Sequence, residues 1–256
     1  MKKIVKVLAL AAMLVMGGQA MAQTRGAMFL SASFPLKDYA EFDDFSDFAL
    51  TALDSDADNC GAGIGFNVGF KWYFNVGVEG LGVMLSLDGF YNGPNPDLKT
   101  AYRNKEGMFD GQIYTSSFGY NYTPRFINVP AMLGLNYIYH LNPNLGIYVE
   151  AGAGGNLRFI TDMEYVTEKS LDILGITINS DTKVTNNYDK AFSFAYQVGA
   201  GIEVAKNLVI GCSFYDLGKA DVKGETVIKG DPNSPRASMW GTVHPMMILG
   251  RIGFSF

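Results

Sequence analysis

Residues 64–74 read IGFNVGFKWYF. Every even position is large and apolar (Ile64, Phe66, Val68, Phe70, Trp72, Phe74), and the odd positions are Gly65, Asn67, Gly69, Lys71 and Tyr73. Strict alternation is the period of a β-strand with two unlike faces. Six bulky apolar side chains on one face suit a strand with lipid on one side and a polar interior on the other. Eleven residues is also the right length, since a tilted strand needs about 9–11 to cross a bilayer.

The same pattern recurs along the chain. It predicts strands at about 26–34, 64–74, 78–91, 120–139, 145–159, 191–204, 208–215 and 246–256. Four long connections (36–62, 92–117, 160–190 and 216–243) alternate strictly with three short turns at 75–77, 141–144 and 205–207. Pro35 ends the first strand, because proline cannot donate to a ladder. Gly93-Pro94-Asn95-Pro96 is a dense turn signal, and the Thr/Asn/Asp-rich stretch 179–189 reads as exposed loop. The fold class expected is all-β: an eight-stranded antiparallel up-and-down transmembrane β-barrel with four long extracellular loops and three short periplasmic turns. A soluble eight-stranded barrel gives no reason for all its long loops to lie at one end.

The N-terminus reads differently. Lys2, Lys3 and Lys6 precede an apolar run at 7–15, and Ala20-Met21-Ala22 is a small-x-small cleavage site. Residues 1–22 are expected to be a cleaved signal peptide and 23–256 the barrel domain. A membrane anchor is the other reading of that run, but a spanning helix needs roughly 20 apolar residues. Beyond residue 22 the apolar runs are broken by Gly, Asn or charge, so only a closed barrel could cross a membrane. The net charge of −5 becomes more negative without the leader lysines, which argues against a nucleic-acid partner. Nothing in the spacing of Cys60 and Cys212 demands a disulfide.

Charges within the strands provide a test of the lipid face. Lys71, Asp88, Glu150, Arg158, Glu203 and Arg251 all fall on the parity opposite the bulky apolar side chains. A lumenal charge network is expected from these six. Lys71, Glu150, Glu203 and Arg251 should pair in the periplasmic half, with Asp88 and Arg158 higher, since buried charge is tolerated only when paired or hydrogen-bonded. Its role is read as structural, a plug of the lumen. Trp72, Tyr73, Tyr137, Tyr139 and Tyr148 near one set of strand ends, and Tyr91, Tyr120, Tyr122 and Tyr215 near the other, read as two interfacial girdles.

Residues 126–137 (FINVPAMLGLNY) followed by 146–154 (GIYVEAGAG) resemble a hairpin of the small outer-membrane β-barrel proteins common in Bacteroidetes. That superfamily includes OmpA-like, OmpX-like and PorT-like barrels. The terminal RIGFSF (251–256) is similar to the C-terminal signal read by the barrel-assembly machinery. The resemblance implies the fold, an address in the Gram-negative outer membrane after Sec-type export, and assembly through the strand ending in Phe256. It implies no particular activity, because such barrels serve as plugs, adhesins, pores and secretion components.

Candidate chemistry is sparse. Asp54-Ser55-Asp56-Ala57-Asp58 begins like a calcium loop, but Asn59 and Gly65 stand where Gly and Glu are required. His140 and His244 are the only histidines, and Ser238 and Ser213, the serines that could be offered to His244, have no motif around them. No catalytic set, cofactor or metal is therefore expected. The reading is a monomeric outer-membrane barrel in contact with lipid, with a filled polar lumen and a structural or surface-interaction role, its long loops open to an extracellular ligand. The alternatives are a narrow porin-like channel for small solutes or ions, and a lipid-modifying barrel enzyme or secretion-system component.

Overall fold

The computed structural model describes residues 24–36, 39, 61–95, 104–109, 112–173, 176–229 and 236–256. Among these, fourteen strands follow one another. The first seven are β1 (Thr24–Pro35), β2 (Ala62–Asn75), β3 (Leu81–Pro94), β4 (Asn104–Phe109), β5 (Gln112–Tyr122), β6 (Phe126–Asn142) and β7 (Leu145–Ile160). The others are β8 (Met163–Ile173), β9 (Ile176–Tyr188), β10 (Ala191–Val204), β11 (Leu208–Asp216), β12 (Ala220–Lys229), β13 (Ala237–Val243) and β14 (Met246–Ser255).

Eight of them close into a barrel in the order β1, β14, β11, β10, β7, β6, β3, β2. Neighbours are antiparallel throughout, and β1 seals the wall by pairing with both β2 and β14. Gly26 and Phe256 exchange backbone N–H to carbonyl bonds of 2.9 Å across that seam. The eight predicted strands are these eight, with β6 starting at Phe126 rather than near 120.

Short turns join the strands at one end, and two of them begin with an asparagine that caps its own turn. The Gly77 N–H donates to Asn75 Oδ1 at 2.8 Å and the Asn144 N–H to Asn142 Oδ1 at 2.9 Å. Such Asx turns reverse the chain without help from tertiary contacts.

At the other end three of the four long connections are not the irregular loops expected. They hold the hairpins β4–β5, β8–β9 and β12–β13, which join edge to edge into a six-stranded sheet ordered β13, β12, β9, β8, β5, β4. The stretch 179–189 lies mostly within β9, where Thr182, Val184 and Thr185 pair with β8. Its Thr, Asn and Asp content reads as loop, but Val184 and Tyr188 share the even parity and the β-branched residues favour a strand. The stretch 54–58 and Cys60 lie outside the described residues.

The barrel is inside out relative to a soluble one. Leu30, Ile64, Leu135, Phe194 and Ile252 are each more than half exposed on its outer face, whereas Lys71, Asp88, Glu150, Arg158 and Arg251 are buried within. Cys212 stands on the outer face. No helix among the described residues is long and apolar enough to cross a membrane; any crossing is by strands. Replacing Leu135 by Arg should cost about 2–4 kcal/mol if that position lies near the bilayer midplane. Urea unfolding of the refolded protein in lipid vesicles measures it, and an unchanged midpoint would contradict a lipid-facing Leu135.

Candidate functional site

The lumen is built from the inward parity of the eight barrel strands. At its centre Glu150 on β7 receives two cations from across the barrel. Lys71 Nζ from β2 donates to Glu150 Oε1, and Arg251 Nη2 from β14 donates to the same oxygen at 2.6 Å. Lys71 also donates to Gln197 Oε1 at 3.2 Å, and Tyr73 OH to Glu150 Oε2 at 3.3 Å. Arg251 reaches the Tyr148 hydroxyl through Nη2 at 3.1 Å. Between the two cations stands Phe29 of β1, whose ring centroid lies 5.5 Å from Lys71 Nζ and 4.9 Å from Arg251 Cζ. A ring face in that position attracts both cations, and more strongly where water is excluded.

Small residues make the room. A Cβ on Gly199 would stand 2.9 Å from Arg251 Nη2 and 3.1 Å from Glu150 Oε1. One on Gly201 would stand 2.7 Å from the Tyr148 hydroxyl. Glycine on this parity lets long side chains from opposite walls meet on the axis.

The other three charges stand apart from that cluster. Glu203 pairs with Arg25 at 2.5 Å nearer the short-turn end. Arg25 escaped the sequence reading because its strand was started at 26, two residues too late. Asp88 accepts from Tyr215 OH at 3.2 Å and, at the limit of a hydrogen bond, from Asn67 Nδ2 at 3.5 Å. Arg158, toward the long-connection end, is almost fully buried and has no carboxylate partner among the described residues. Its guanidinium donates to Asn128 Oδ1 at 3.3 Å, to the Val243 carbonyl at 2.8 Å and to the Gly218 carbonyl at 2.9 Å. Neutral oxygens satisfy this cation in place of an anion.

Those bonds tie a cap over the lumen. Leu217, just past β11, and Val243, the last residue of β13, are fully buried, as is Tyr39 from the first long connection. Asn128 Nδ2 donates to the Tyr39 hydroxyl at 3.0 Å, and Tyr39 packs edge-on to Phe126 with ring centroids 5.9 Å apart. Burial raises the Tyr39 phenol above its ordinary pKa, against the opposing pull of Arg158 and Asn128. Beneath the cap lie Phe90, Met132, Tyr215, Met247 and Leu249 in one apolar cluster. At the opposite mouth a cavity of only about 10 Å³, bordered by Arg25, Tyr73 and Glu203, has room for about one water.

Tyr73, Tyr148 and Tyr215 are therefore lumenal, not girdle residues: all three hydrogen-bond to the charged groups described above. Trp72, Tyr91, Tyr122, Tyr137 and Tyr139 face outward. His244 Nε2 meets Asp216 Oδ1 at 2.9 Å where the wall joins the outer sheet. Ser213 points into the lumen and Ser238 stands on β13, paired across to Glu225. His140 is exposed beside a short turn.

Replacing Glu150 by Gln would leave Lys71 and Arg251 buried without an anion. A destabilisation of about 3–5 kcal/mol is expected, partly reversed by adding Lys71→Met, and a double-mutant cycle in urea unfolding reads it. Additive effects would mean that the two residues are not coupled. No protein-family model matches the chain, and no curated protein matches it. Solved structures do. The outer membrane protein OprG from Pseudomonas aeruginosa is similar at 12% identity over 92% of this chain and 97% of that one, with a TM-score of 0.48. The outer membrane protein AlkL is similar at 14% identity, covering 91% of this chain and 90% of its own, with a TM-score of 0.41. Ail, the attachment invasion locus protein of Yersinia pestis, is similar at 13% identity over 92% and 99%, with a TM-score of 0.35. The barrel assignment rests on the closed register described above.

Proposed function

We propose that the chain is a monomeric outer-membrane barrel with a filled lumen, whose working surface is the sheet and connections at its long-connection end, facing outward from the cell. The supporting observation is the stack of side chains along the axis. Arg25–Glu203, the Lys71–Glu150–Arg251 cluster with Phe29, the apolar cluster and the pinned cap follow one another from end to end. The interior of an eight-stranded barrel is just wide enough for side chains to fill, and these side chains come from opposite walls. Residues 1–22 act in this reading as a Sec-type leader. The strand ending in Phe256 is the part presented to the barrel-assembly machinery. The barrel wall, unlike the outer sheet, has no free edge to recruit a second copy, and the monomer reading rests on that wall.

A six-stranded sheet standing on the barrel offers a far larger and stiffer surface than separate loops would. Among the described residues its two outer strands, β4 and β13, each pair with one neighbour only. Binding surfaces are commonly carried on segments that a rigid scaffold positions.

Single-channel recording on the refolded mature protein in a planar bilayer tests the filled lumen. No steady conductance is expected from protein whose folding is verified by heat-modifiable gel mobility. Steady openings whose ion selectivity changes on Arg251→Gln substitution would favour the narrow channel instead, with the lumenal charges as its filter.

A further inference from the structure

We propose that the cleft where the wall passes from barrel to outer sheet seats the phosphate of a phosphorylated glycolipid of the outer leaflet. The proposal rests on the outer-membrane reading above. The barrel ladder of β6 and β7 ends at the pair Phe126 and Ile160, and the outer ladder of β5 and β8 begins at Tyr122 and Glu164. Between them the chain breaks pairing, held by the Thr161 N–H donating to the Arg125 carbonyl at 3.0 Å and the Arg125 N–H donating to Thr161 Oγ1 at 2.8 Å. The break opens a cleft of about 580 Å³, which Arg125, Glu164, Thr185 and Lys229 help to line.

The cleft lies on the outside of the wall. Met163 and Val184 pack together on the face that continues the lumen, and Glu164, Lys183, Thr185 and Lys229 occupy the opposite parity. Glu164 is nonetheless only 5% exposed. Lys183 Nζ lies 2.7 Å from its Oε1 and Lys229 Nζ bonds its Oε2, while both lysine side chains stay about half exposed. One carboxylate thus fixes two ammoniums, each with further N–H donors to offer. Arg125 makes no ion pair among the described residues, and Lys190 sits nearby with Nζ 5.2 Å from the Phe159 ring centroid. Arg125 and Lys229 line the cleft with Glu164 and Asp162, and Lys183 pairs with Glu164 on the same face, three cations against two carboxylates. The surplus is positive and preorganised, which suits a phosphate.

The neighbourhood selects the lipid. Immediately below Arg125 and Thr161 the outer face becomes apolar: Ile127, Val129, Leu157, Phe159, Phe192 and Phe194 form adjoining outward positions on β6, β7 and β10. A lipid whose acyl chains lie along that strip carries its headgroup into the cleft. A volume of this size exceeds a bare phosphate and fits a phosphorylated sugar.

Native mass spectrometry of the folded mature chain in detergent tests the proposal, with bisphosphorylated lipid A, its dephosphorylated form and phosphatidylglycerol as probes. Retention of the phosphorylated glycolipid over both others is expected. The double substitution R125A/K229A should weaken it at least about tenfold, the value of one lost charge-assisted contact. Glu164→Gln should weaken it by releasing the two ammoniums that Glu164 holds in place, and Lys223→Ala, an exposed control, should leave it unchanged. Should the double variant fail to fold by gel mobility, Lys190→Ala takes its place with a smaller loss of the same sign. Equal retention of dephosphorylated lipid, equal retention of phosphatidylglycerol, or indifference to these cations would overturn the site. Absence of the mature chain from the outer-membrane fraction would instead overturn the location, so the two failures are distinct.

Discussion

Glu150 holds Lys71 and Arg251 from across the lumen, and the closed wall depends on that ion triplet for a filled interior. The outer face is committed to apolar side chains, so the charges within the barrel strands turn inward, where water is scarce, except for Asp216 at the end of β11. A charge taken from water costs several kcal/mol unless it is paired and hydrogen-bonded. The barrel order puts β3 and β6 between β2 and β7, and β10 and β11 between β7 and β14. The triplet therefore ties strands that are not neighbours in the wall, while Phe29 on β1 fills the space between its two cations. Backbone ladders fix the cylinder, and these contacts across the axis fix what lies within it.

The outer sheet extends the same economy of backbone pairing past the membrane zone. The chain leaves β7 through two residues and starts β8, leaves β9 through two residues and starts β10, and leaves β13 through two residues and starts β14. With connections that short, each barrel stave continues almost directly into a hairpin strand. The hairpins then pair edge to edge because a rising strand exposes unpaired N–H and C=O groups that its neighbour can satisfy. Among the described residues pairing stops at β4 and β13, whereas β1 seals the barrel wall.

Most of the barrel was legible because its strands face two unlike solvents. In IGFNVGFKWYF the alternation leaves one register, and a slip by one residue would turn Lys71 to the apolar face. The hairpins of the outer sheet were not legible, because β9 (ITINSDTKVTNNY) reads as exposed loop from its Thr, Asn and Asp content, although its apolar residues Ile176, Ile178, Val184 and Tyr188 all share the even parity. The girdle reading of Tyr73, Tyr148 and Tyr215 failed for another reason. It used position along the strand and ignored parity, though Tyr148 shares the parity of Glu150 and Tyr73 that of Lys71. Pairing partners were beyond reach: sequence put Glu203 and Glu150 on the same inward set, and only the tilt of the staves decides that one meets Arg25 and the other Lys71.

Arg158 marks where the logic of the lumen changes. Below it Lys71, Arg251 and Arg25 meet carboxylates, in a zone that strands can reach from all sides. At its own level the wall supplies Asn128 and Asn156, and the chain ends of β11 and β13 bend inward so that Gly218 and Val243 present carbonyls to the guanidinium. Gly218 has φ of 72°, a conformation that glycine adopts at no steric cost, and this turn brings its carbonyl over the mouth. Asn156 and Ser193 both donate to the Leu217 carbonyl beside it. A carboxylate here would have neutralised Arg158 but could have left those carbonyls unsatisfied. By bonding backbone, the arginine joins the top of the barrel to the roots of the outer sheet, so the order of one is coupled to the order of the other.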